Sequence, residues 1–381
     1  MPEADVMPSL TVPQTLSGSG KPLSVTRLRK TYGGVTAVDE VSMEIAAGEF
    51  VTFLGSSGSG KTTTLMMIAG FCEPDSGSIV VGGRDVTRLA PQRRGLGFVF
   101  QQYLLFPHMT VWENVAFPLQ LRGVPKAELR RRVGETLEMA GLSAMARRRP
   151  RELSGGQQQR VALCRALVYR PPVILMDEPL GALDKKLRDQ LQTEIKRIQQ
   201  ELGLTVIYVT HDQEEALVLS DRIAVMRDGS IDQFDTPQEL FERPRTPFVA
   251  DFLGAANFLP GQVEQQASGH TLVRLDSGGL LKARPQAASE GTRVRAAVQP
   301  GRLALCPPDE GFCTGTVETV TYVGTLVRIT VRPEGSADVG PVRLELPAGR
   351  SPVVGERIGL TADPDNVSVF PDVLPDAKDG G

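Results

Sequence analysis

The sequence is poor in the residues that build disulfide frameworks, metal centres and membrane spans. Its 381 residues include four cysteines, three histidines and one tryptophan. The cysteines lack the paired spacing of a zinc site, so we expect free thiols in a reducing compartment. No apolar run approaches the roughly 20 residues that cross a bilayer, and no secretory signal is visible. Any role at a membrane must therefore come through partner chains.

The charge balance argues against another class of protein. The chain has 42 Lys and Arg residues against 45 Asp and Glu residues, a net charge of −3. This value is too near neutral for bulk nucleic-acid binding, so no nucleic-acid partner is expected. A hydrophobic content of 41% is ordinary for a globular protein, and the length favours two domains.

The chain contains three successive regions that differ in composition and in the pattern of apolar residues. Residues 1–20, rich in Ser, Pro and Gly, predict a disordered tail. Residues 21–253 alternate apolar runs with amphipathic stretches, which predicts an α/β domain with a parallel-sheet core. Residues 254–381 carry short β-rich runs at 294–298, 315–320, 326–331 and 342–346, which predict a small all-β barrel or sandwich. The helices expected in the α/β domain are 62–69, 126–140, 155–168, 185–202 and 214–219.

A glycine-rich loop follows the first strongly apolar run. Residues 49–54 predict a buried strand, and a helix is expected to begin near Lys61. Glycines between a strand and a helix let backbone N–H groups cradle phosphates. Lys61 would neutralise the β- and γ-phosphates of ATP, and the Thr62 hydroxyl would bind Mg²⁺. The residues expected to contact the nucleotide here are Gly55, Ser56, Ser57, Gly58, Ser59, Gly60, Lys61, Thr62 and Thr63.

Two carboxylates end a second apolar run, at residues 173–176. Asp177 is the natural partner of Mg²⁺, and Glu178 would orient and deprotonate the attacking water. Two further runs, 96–100 and 205–210, end at Gln101 and His211. Because ligands bind at the carboxyl ends of parallel strands, we expect these side chains to meet at one edge. Two alternatives stay open: His211 could be a buried structural histidine, and Gln102 could be the functional glutamine in place of Gln101.

A helix start with two glycines lies between these runs. Ser154, Gly155, Gly156 and Gln157 have the spacing of a capping box, which is a complete structural explanation by itself. The two glycines nevertheless cost helix stability, and they bare N–H groups that can bind an anion. Nothing within one chain compels this second anion site to reach the phosphates at Lys61.

Together with Leu153 these residues spell LSGGQ, and the set of motifs resembles the ATP-binding cassette ATPases over residues 23–253. The resemblance implies that Tyr32 stacks on adenine and that Gln101 senses the γ-phosphate and Mg²⁺. It implies that Glu178 is the catalytic base and that His211 is a switch at the γ-phosphate. Lys61 is expected to act with them in catalysis. Thr62, Gln101 and Asp177 are the implied metal ligands.

In that family two cassettes pair head to tail, which implies a homodimer with two composite sites. Ser154, Gly155, Gly156 and Gln157 of one subunit would contact the nucleotide held by the other. The segment from Gly181 to Asp184 resembles the loop that crosses this interface, so Asp184 is also an implied nucleotide contact.

The likeness extends to the importers of this family. Residues 103–160 would be the helical subdomain, and 105–111 resemble the importer version, which receives a cytoplasmic helix of the permease. Residues 257–261, 317–324 and 365–371 resemble the transport-associated OB (TOBE) domain. The implied setting is peripheral, on the cytoplasmic face of a bacterial inner membrane. Two permease subunits and an extracytoplasmic solute-binding protein are the implied partners.

The solute is harder to predict, because this subunit does not touch it. The sequence is most similar to spermidine/putrescine importers at residues 62–65, 85–87, 105–108 and 114–117. Ferric-iron, phosphonate and thiamine importers share much of the same sequence at these positions. The rival class is the non-transport cassette ATPases. Those of chromosome maintenance carry insertions of hundreds of residues before the LSGGQ motif, but here Gln102 and Leu153 are only 51 residues apart (153 − 102). Those of translation carry two cassettes in one chain, whereas this chain has one. A regulatory ligand on the β domain is a further, compatible hypothesis.

Overall fold

In this computed structural model the described residues are 20–181, 183–267, 269–285, 288–335, 340–349 and 351–372. Apart from Gly20, the predicted tail lies outside them, as do Ala182 of the predicted interface loop and residues 373–381. The chain divides into two compact units, one up to Pro237 and one from Gln238 onward. This division precedes the predicted boundary between residues 253 and 254, which stays a prediction.

The first unit contains two sheets and several helices. Its strands are β1 (Leu23–Tyr32), β2 (Val35–Ile45), β3 (Phe50–Leu54), β4 (Ser76–Val81), β5 (Arg84–Asp85), β6 (Gly97–Val99), β7 (Val173–Asp177), β8 (Thr205–Thr210), β9 (Arg222–Arg227) and β10 (Ser230–Asp235). Its helices are α1 (Lys61–Ala69), α2 (Pro91–Arg94), α3 (Val111–Leu121), α4 (Lys126–Met139), α5 (Gly155–Leu167), α6 (Lys185–Leu202) and α7 (Gln213–Leu219). Short 3₁₀ helices lie at Ser143–Met145 and Pro150–Glu152.

The larger sheet is mostly parallel, in the order β10-β9-β3-β8-β7-β6, and its β10 strand is antiparallel to β9. Every residue of β3, β7 and β8 is buried. This burial explains why the three runs are largely apolar, because a central parallel strand is covered on both faces. The predicted parallel-sheet core is confirmed.

The smaller sheet is antiparallel, in the order β2-β1-β4-β5. Helix α1 contacts both sheets, and its Leu65, Met67 and Ile68 are fully buried in one apolar cluster with residues of each. Burial of each such side chain contributes about 1.5–3 kcal/mol. The phosphate-loop helix is thereby held rigidly from two sides.

The opposite face of the parallel sheet is covered by α5 and α6, where Leu163 and Ile195 pack against Phe50 and Tyr208. The other side of α5 forms a second apolar cluster with α3 and α4. Helix α5, which begins at the LSGGQ residues, therefore belongs to both the sheet core and the helical cluster.

The second unit is mainly antiparallel β structure. Its elements are α8 (Pro237–Glu242), which begins at the boundary, α9 (Pro247–Gly254), β11 (Asn257–Ala267), β12 (His270–Leu275), β13 (Leu280–Ala283), β14 (Arg293–Val298), β15 (Leu303–Cys306), β16 (Cys313–Val323), β17 (Leu326–Pro333), β18 (Val342–Pro347), β19 (Arg357–Ala362) and β20 (Val367–Pro371). Two five-stranded sheets, β13-β12-β11-β14-β20 and β15-β19-β16-β17-β18, enclose one apolar core. The predicted all-β character of this region is confirmed.

Candidate functional site

The predicted site residues meet at one edge of the parallel sheet. Strands β3, β6, β7 and β8 run in one direction, so their carboxyl ends share that edge. The phosphate loop follows β3 and precedes α1, Gln101 lies just beyond β6, and Asp177 ends β7. Glu178 comes next in the chain, and His211 follows β8. The expectation that these segments converge is therefore met.

The glycines of the phosphate loop have steric reasons to be glycine. A Cβ on Gly55 would lie 2.3 Å from the Met226 carbonyl oxygen, so no side chain fits there. Gly60 has a φ of 94°, a left-handed conformation that glycine adopts without strain, and it caps the N-terminus of α1. The loop can thus wrap closely with its amides uncovered, as a phosphate requires.

Lys61 is buried at the centre of this loop. Its Nζ donates hydrogen bonds to the carbonyl oxygens of Gly55 (2.8 Å) and Ser56 (2.7 Å). Burial lowers the pKa of Lys61, and the charges of Glu178 and Asp177 oppose that shift. A desolvated cation next to a ring of amides strongly favours an anionic ligand.

Thr62 and Asp177 form an oxygen pair beside Lys61. The Thr62 hydroxyl donates to Asp177 Oδ1 at 3.1 Å. Burial raises the pKa of Asp177, helped by the charge of Glu178, whereas the bond from Thr62 and the charge of Lys61 lower it. Among the described residues no three His, Cys, Asp or Glu side chains gather to hold a metal. The pair suits Mg²⁺, which commonly takes one or two protein oxygens and completes its shell with phosphates and waters.

Glu178 is contacted by both flanking strand ends. Its Oε1 lies 3.2 Å from Nδ1 of His211, and its Oε2 accepts a hydrogen bond from Gln101 Nε2 at 3.2 Å. Of the two neighbouring glutamines, Gln101 is the one that makes this contact. The His211 side chain is 60% exposed, so it is not a buried core histidine. Glu178 also has a φ of 41°, a left-handed backbone that is strained for a residue other than glycine and that the sequence did not reveal.

The LSGGQ segment forms the predicted capping box. Ser154 Oγ accepts from the Gln157 amide at 3.4 Å, and Gln157 Oε1 accepts from the Ser154 amide at 3.0 Å. A Cβ on Gly156 would lie 2.7 Å from Leu187 Cδ1, so Leu187 on α6 would have to move to admit a side chain there. In the described part of the chain, the hydrogen bonds of Ser154 and Gln157 do not reach the phosphate loop. One chain does not bring the two motifs together.

Tyr32 is the last residue of β1, and Asp184 directly precedes α6. The Tyr32 ring is 51% exposed, and its hydroxyl lies 2.9 Å from Cys72 Sγ, a contact that fixes the ring's direction. The four cysteines, including Cys72, are free thiols as expected. Asp184 Oδ1 accepts from the Leu187 amide at 3.0 Å and thereby caps α6.

An apolar cleft of about 390 Å³ lies on the first unit, and Phe100, the residue before Gln101, is part of its lining. Phe106 and Phe117 pack in it with ring centres 4.7 Å apart. Other residues that line the cleft are Leu96, Phe98, Phe100, Leu104, Pro118, Leu121, Arg122, Arg165 and Tyr169. It contains part of segment 105–111, which the importer likeness singles out.

Comparisons with known proteins decide the family. The model of the ABC transporter family matches residues 38–181, and that of the TOBE domain matches residues 296–370. The spermidine/putrescine import ATP-binding protein PotA of Thermobifida fusca is 50% identical over 327 residues, 83% of this chain and 85% of that protein. The chain belongs to the ABC transporter family. As an ABC transporter ATPase it binds and hydrolyses ATP, and the non-transport alternative gains no support.

Further relatives of this ABC transporter ATPase differ in cargo. The Fe(3+) ions import ATP-binding protein FbpC of Agrobacterium fabrum is 46% identical over 319 residues, 82% of this chain and 89% of that protein. A solved dimeric structure of the ATP-binding cassette MJ0796, in a post-hydrolysis state bound to ADP and Pi, is 36% identical with a TM-score of 0.51. The matched region spans 56% of this chain and 98% of the MJ0796 chain. Of the helices in the described residues, none has the length and apolarity needed to cross a membrane.

Sequence reasoning missed a group of charged residues behind His211. Arg188 on α6 pairs with Asp212 at 2.8 Å, and Glu215 on α7 is only 2% exposed. Burial raises the pKa of Glu215. The sequence signal that could have revealed this group is Glu215, a carboxylate that follows shortly after His211 at a buried position of α7.

Proposed function

We propose that this chain is the ATP-hydrolysing subunit of an importer of polyamines such as spermidine or putrescine. The observation that carries the proposal is the 50% identity, over 83% of the chain, to a spermidine/putrescine import protein. A second such protein, from Rubrobacter xylanophilus, is also 50% identical over 83% of the chain. The 46% identity to a ferric-iron import protein keeps iron as the alternative cargo, with phosphonate and thiamine behind it.

We propose ATP with Mg²⁺ as the ligand of the sheet edge. Lys61 would turn from the loop carbonyls, now 2.7–2.8 Å away, to the β- and γ-phosphates. Thr62, Asp177 and Gln101 would supply oxygen ligands for the cation, and the 3.1 Å approach of Thr62 to Asp177 supports this pairing. When bound, the cation neutralises charge that develops on the phosphates. Tyr32 would stack on the adenine ring, and Thr63 would lie at the phosphates beside Thr62.

Glu178 would accept the proton of the attacking water. Its two carboxylate oxygens are held by His211 and Gln101, each at 3.2 Å, so the base is oriented before the water arrives. His211 would then contact the γ-phosphate as a switch. The strained backbone of Glu178 supports a role that needs a fixed direction, because such conformations concentrate at functional sites.

The site would be completed by a second copy of the chain. Ser154, Gly155, Gly156 and Gln157 present a helix N-terminus to an anion, and they would meet the nucleotide held by the partner. Asp184 would face the same interface. ATP binding closes the pair, and hydrolysis reopens it. The chain would sit peripherally on the cytoplasmic face of an inner membrane.

The dimer would bind two permease subunits and drive them by ATP hydrolysis. An extracytoplasmic solute-binding protein would deliver the solute to the permease. The apolar cleft is the proposed seat for a short permease helix, since exposed Leu104 and Leu121 and half-buried aromatic rings line it. A movement of Gln101 would then change the contact with the permease helix.

Substitution of Glu178 by Gln tests the ATPase assignment. Glu178→Gln should keep nucleotide binding, slow turnover by a factor on the order of 10³ or more, and trap an ATP-dependent dimer in gel filtration. Adding Ser154→Arg should abolish that dimer while leaving nucleotide affinity of the monomer intact. Near-normal turnover of Glu178→Gln would place the base elsewhere.

Uptake by cells tests the cargo. Cells that carry Glu178→Gln as their only copy should lose uptake of labelled spermidine and putrescine and keep uptake of ferric iron. Loss of iron uptake alone would favour the alternative cargo.

A further inference from the structure

Arg188 joins two loops that the proposed mechanism needs. It lies in the first turn of α6, and its Nη2 donates to the Leu183 carbonyl oxygen at 3.1 Å. Its Nη1 donates to Asp212 Oδ2 at 2.8 Å. Leu183 belongs to the loop proposed to cross the dimer interface, and Asp212 directly follows His211. One planar guanidinium therefore bridges the interface loop and the histidine segment.

The far end of this bridge is fixed in place. Asp212 Oδ1 accepts from the amides of Glu214 (2.8 Å) and Glu215 (3.2 Å), and so it caps α7. The Asp212 amide donates to Thr210 Oγ1 at 3.0 Å. Because Oδ1 serves the cap and Oδ2 serves Arg188, a pull on the ion pair is passed to the backbone next to His211.

A buried carboxylate backs the same guanidinium. Glu215 Oε2 accepts from Tyr208 Oη and from Thr210 Oγ1, both at 2.8 Å. Glu215 Oε1 lies 3.7 Å from Arg188 Nε. That Nε is buried and has no hydrogen-bond partner within the described residues. A buried donor without an acceptor is unfavourable, so a shift of α6 by less than 1 Å toward α7 would be favoured.

We propose that Arg188 is a positioning residue that couples the interface loop to His211. When the second subunit presses on Leu183 and Asp184, Arg188 moves toward Glu215, and the change passes through Asp212 to His211. His211 lies 3.2 Å from Glu178, so the orientation of the proposed base depends on dimer closure. This inference rests on the proposed function and adds a route by which each subunit senses the other.

Arg188→Met tests the coupling. It should lower kcat about tenfold or more, the loss expected for a charged hydrogen bond, while the KM for ATP stays within about twofold. Arg188→Lys should recover part of the rate, because it keeps the charge but not the fork. Asp212→Asn keeps the cap and loses the charge, so it should reproduce Arg188→Met. The double variant should be no slower than either single one.

A matched control is available on the same helix. Arg197 also pairs with a carboxylate, Glu201 at 2.7 Å, and donates to a carbonyl oxygen, that of Met139 at 3.2 Å. Arg197→Met should change thermal stability without changing kcat. The inference is overturned if Arg188→Met loses rate only in proportion to stability, as the control does, or if the double variant multiplies the single effects. Should Arg188→Met not fold, Arg188→Lys and Asp212→Asn carry the same comparison.

Failure of this inference is distinguishable from failure of the proposed function. If Glu178→Gln still traps the ATP-dependent dimer while the Arg188 and Asp212 variants turn over normally, only the coupling is wrong.

Discussion

Asn114 on α3 should be the most costly polar residue to replace in the helical region. It is 0% exposed, and its Oδ1 accepts from the Phe106 amide at 2.8 Å. Its Nδ2 donates to the carbonyl oxygens of Thr110 (2.9 Å), Phe106 (3.2 Å) and Met109 (3.3 Å). A single side chain thus closes the loop from residue 106 to residue 110, which lies at the apolar cleft.

The cost of Asn114→Leu follows from these contacts. The new side chain is of similar size, so no large cavity forms. The Phe106 N–H loses its acceptor, which costs about 1–3 kcal/mol when it is buried. The Nδ2 group has two protons to share among its three acceptors, so the equivalent of two donated bonds, about 1 kcal/mol each, is lost as well. The carbonyls of Phe106 and Thr110 keep other donors, the amides of Met109 and Asn114. A loss of about 3 kcal/mol, or roughly 6–12 °C in Tm for a unit of this size, is expected.

Urea unfolding and thermal scans of the full chain measure this loss, with exposed Gln120→Leu on the same helix as the control. Gln120→Leu should stay within about 0.5 kcal/mol of the wild type. Asn114→Leu should also reduce permease-stimulated ATPase more than basal ATPase, because the cleft loses its shape. A loss below about 1 kcal/mol would refute the reasoning, since the loop would then not depend on Asn114.

Two further predictions concern the nucleotide site. Because burial raises the pKa of Asp177 above its ordinary value, ionisation of Asp177 destabilises the free protein as pH rises through the folded-state pKa. Asp177→Asn should therefore abolish ATPase yet stabilise the nucleotide-free chain at pH 7.5, with the gain vanishing at low pH in urea titrations; a destabilised variant at pH 7.5 would contradict this. Tyr32→Phe should bind ATP like the wild type in calorimetry, whereas Tyr32→Ala should weaken binding about 3- to 10-fold, the worth of one stacked ring; equal affinities would exclude stacking.

The sequence predicted those elements whose signals are local. The helix expected at 185–202 coincides with α6, because Asp184 caps its start and Gly203, with a φ of 59°, ends it. The strands β3, β7 and β8 were predicted from apolar runs, and the structure shows all their residues buried. The convergence of the site segments followed from one topological rule about parallel strands.

Features that depend on distant partners were not predictable. The antiparallel pairing of β1 and β2 is interrupted by register shifts around Leu28, which blur the alternating pattern. The contact of Gln101 with Glu178, at 3.2 Å, joins residues 77 apart in sequence. The ion pair of Arg188 and Asp212 joins residues 24 apart in sequence, and no motif announces it.

The end of β7 has a consequence for the long-term fate of this chain. Asp177 is a desolvated carboxylate, and Glu178 follows it with a left-handed backbone, so both positions cost folding stability. A drift toward Asn at the first and Gly at the second would relieve both costs. Lineages in which transport no longer matters should lose these two residues early, well before the apolar strands around them erode.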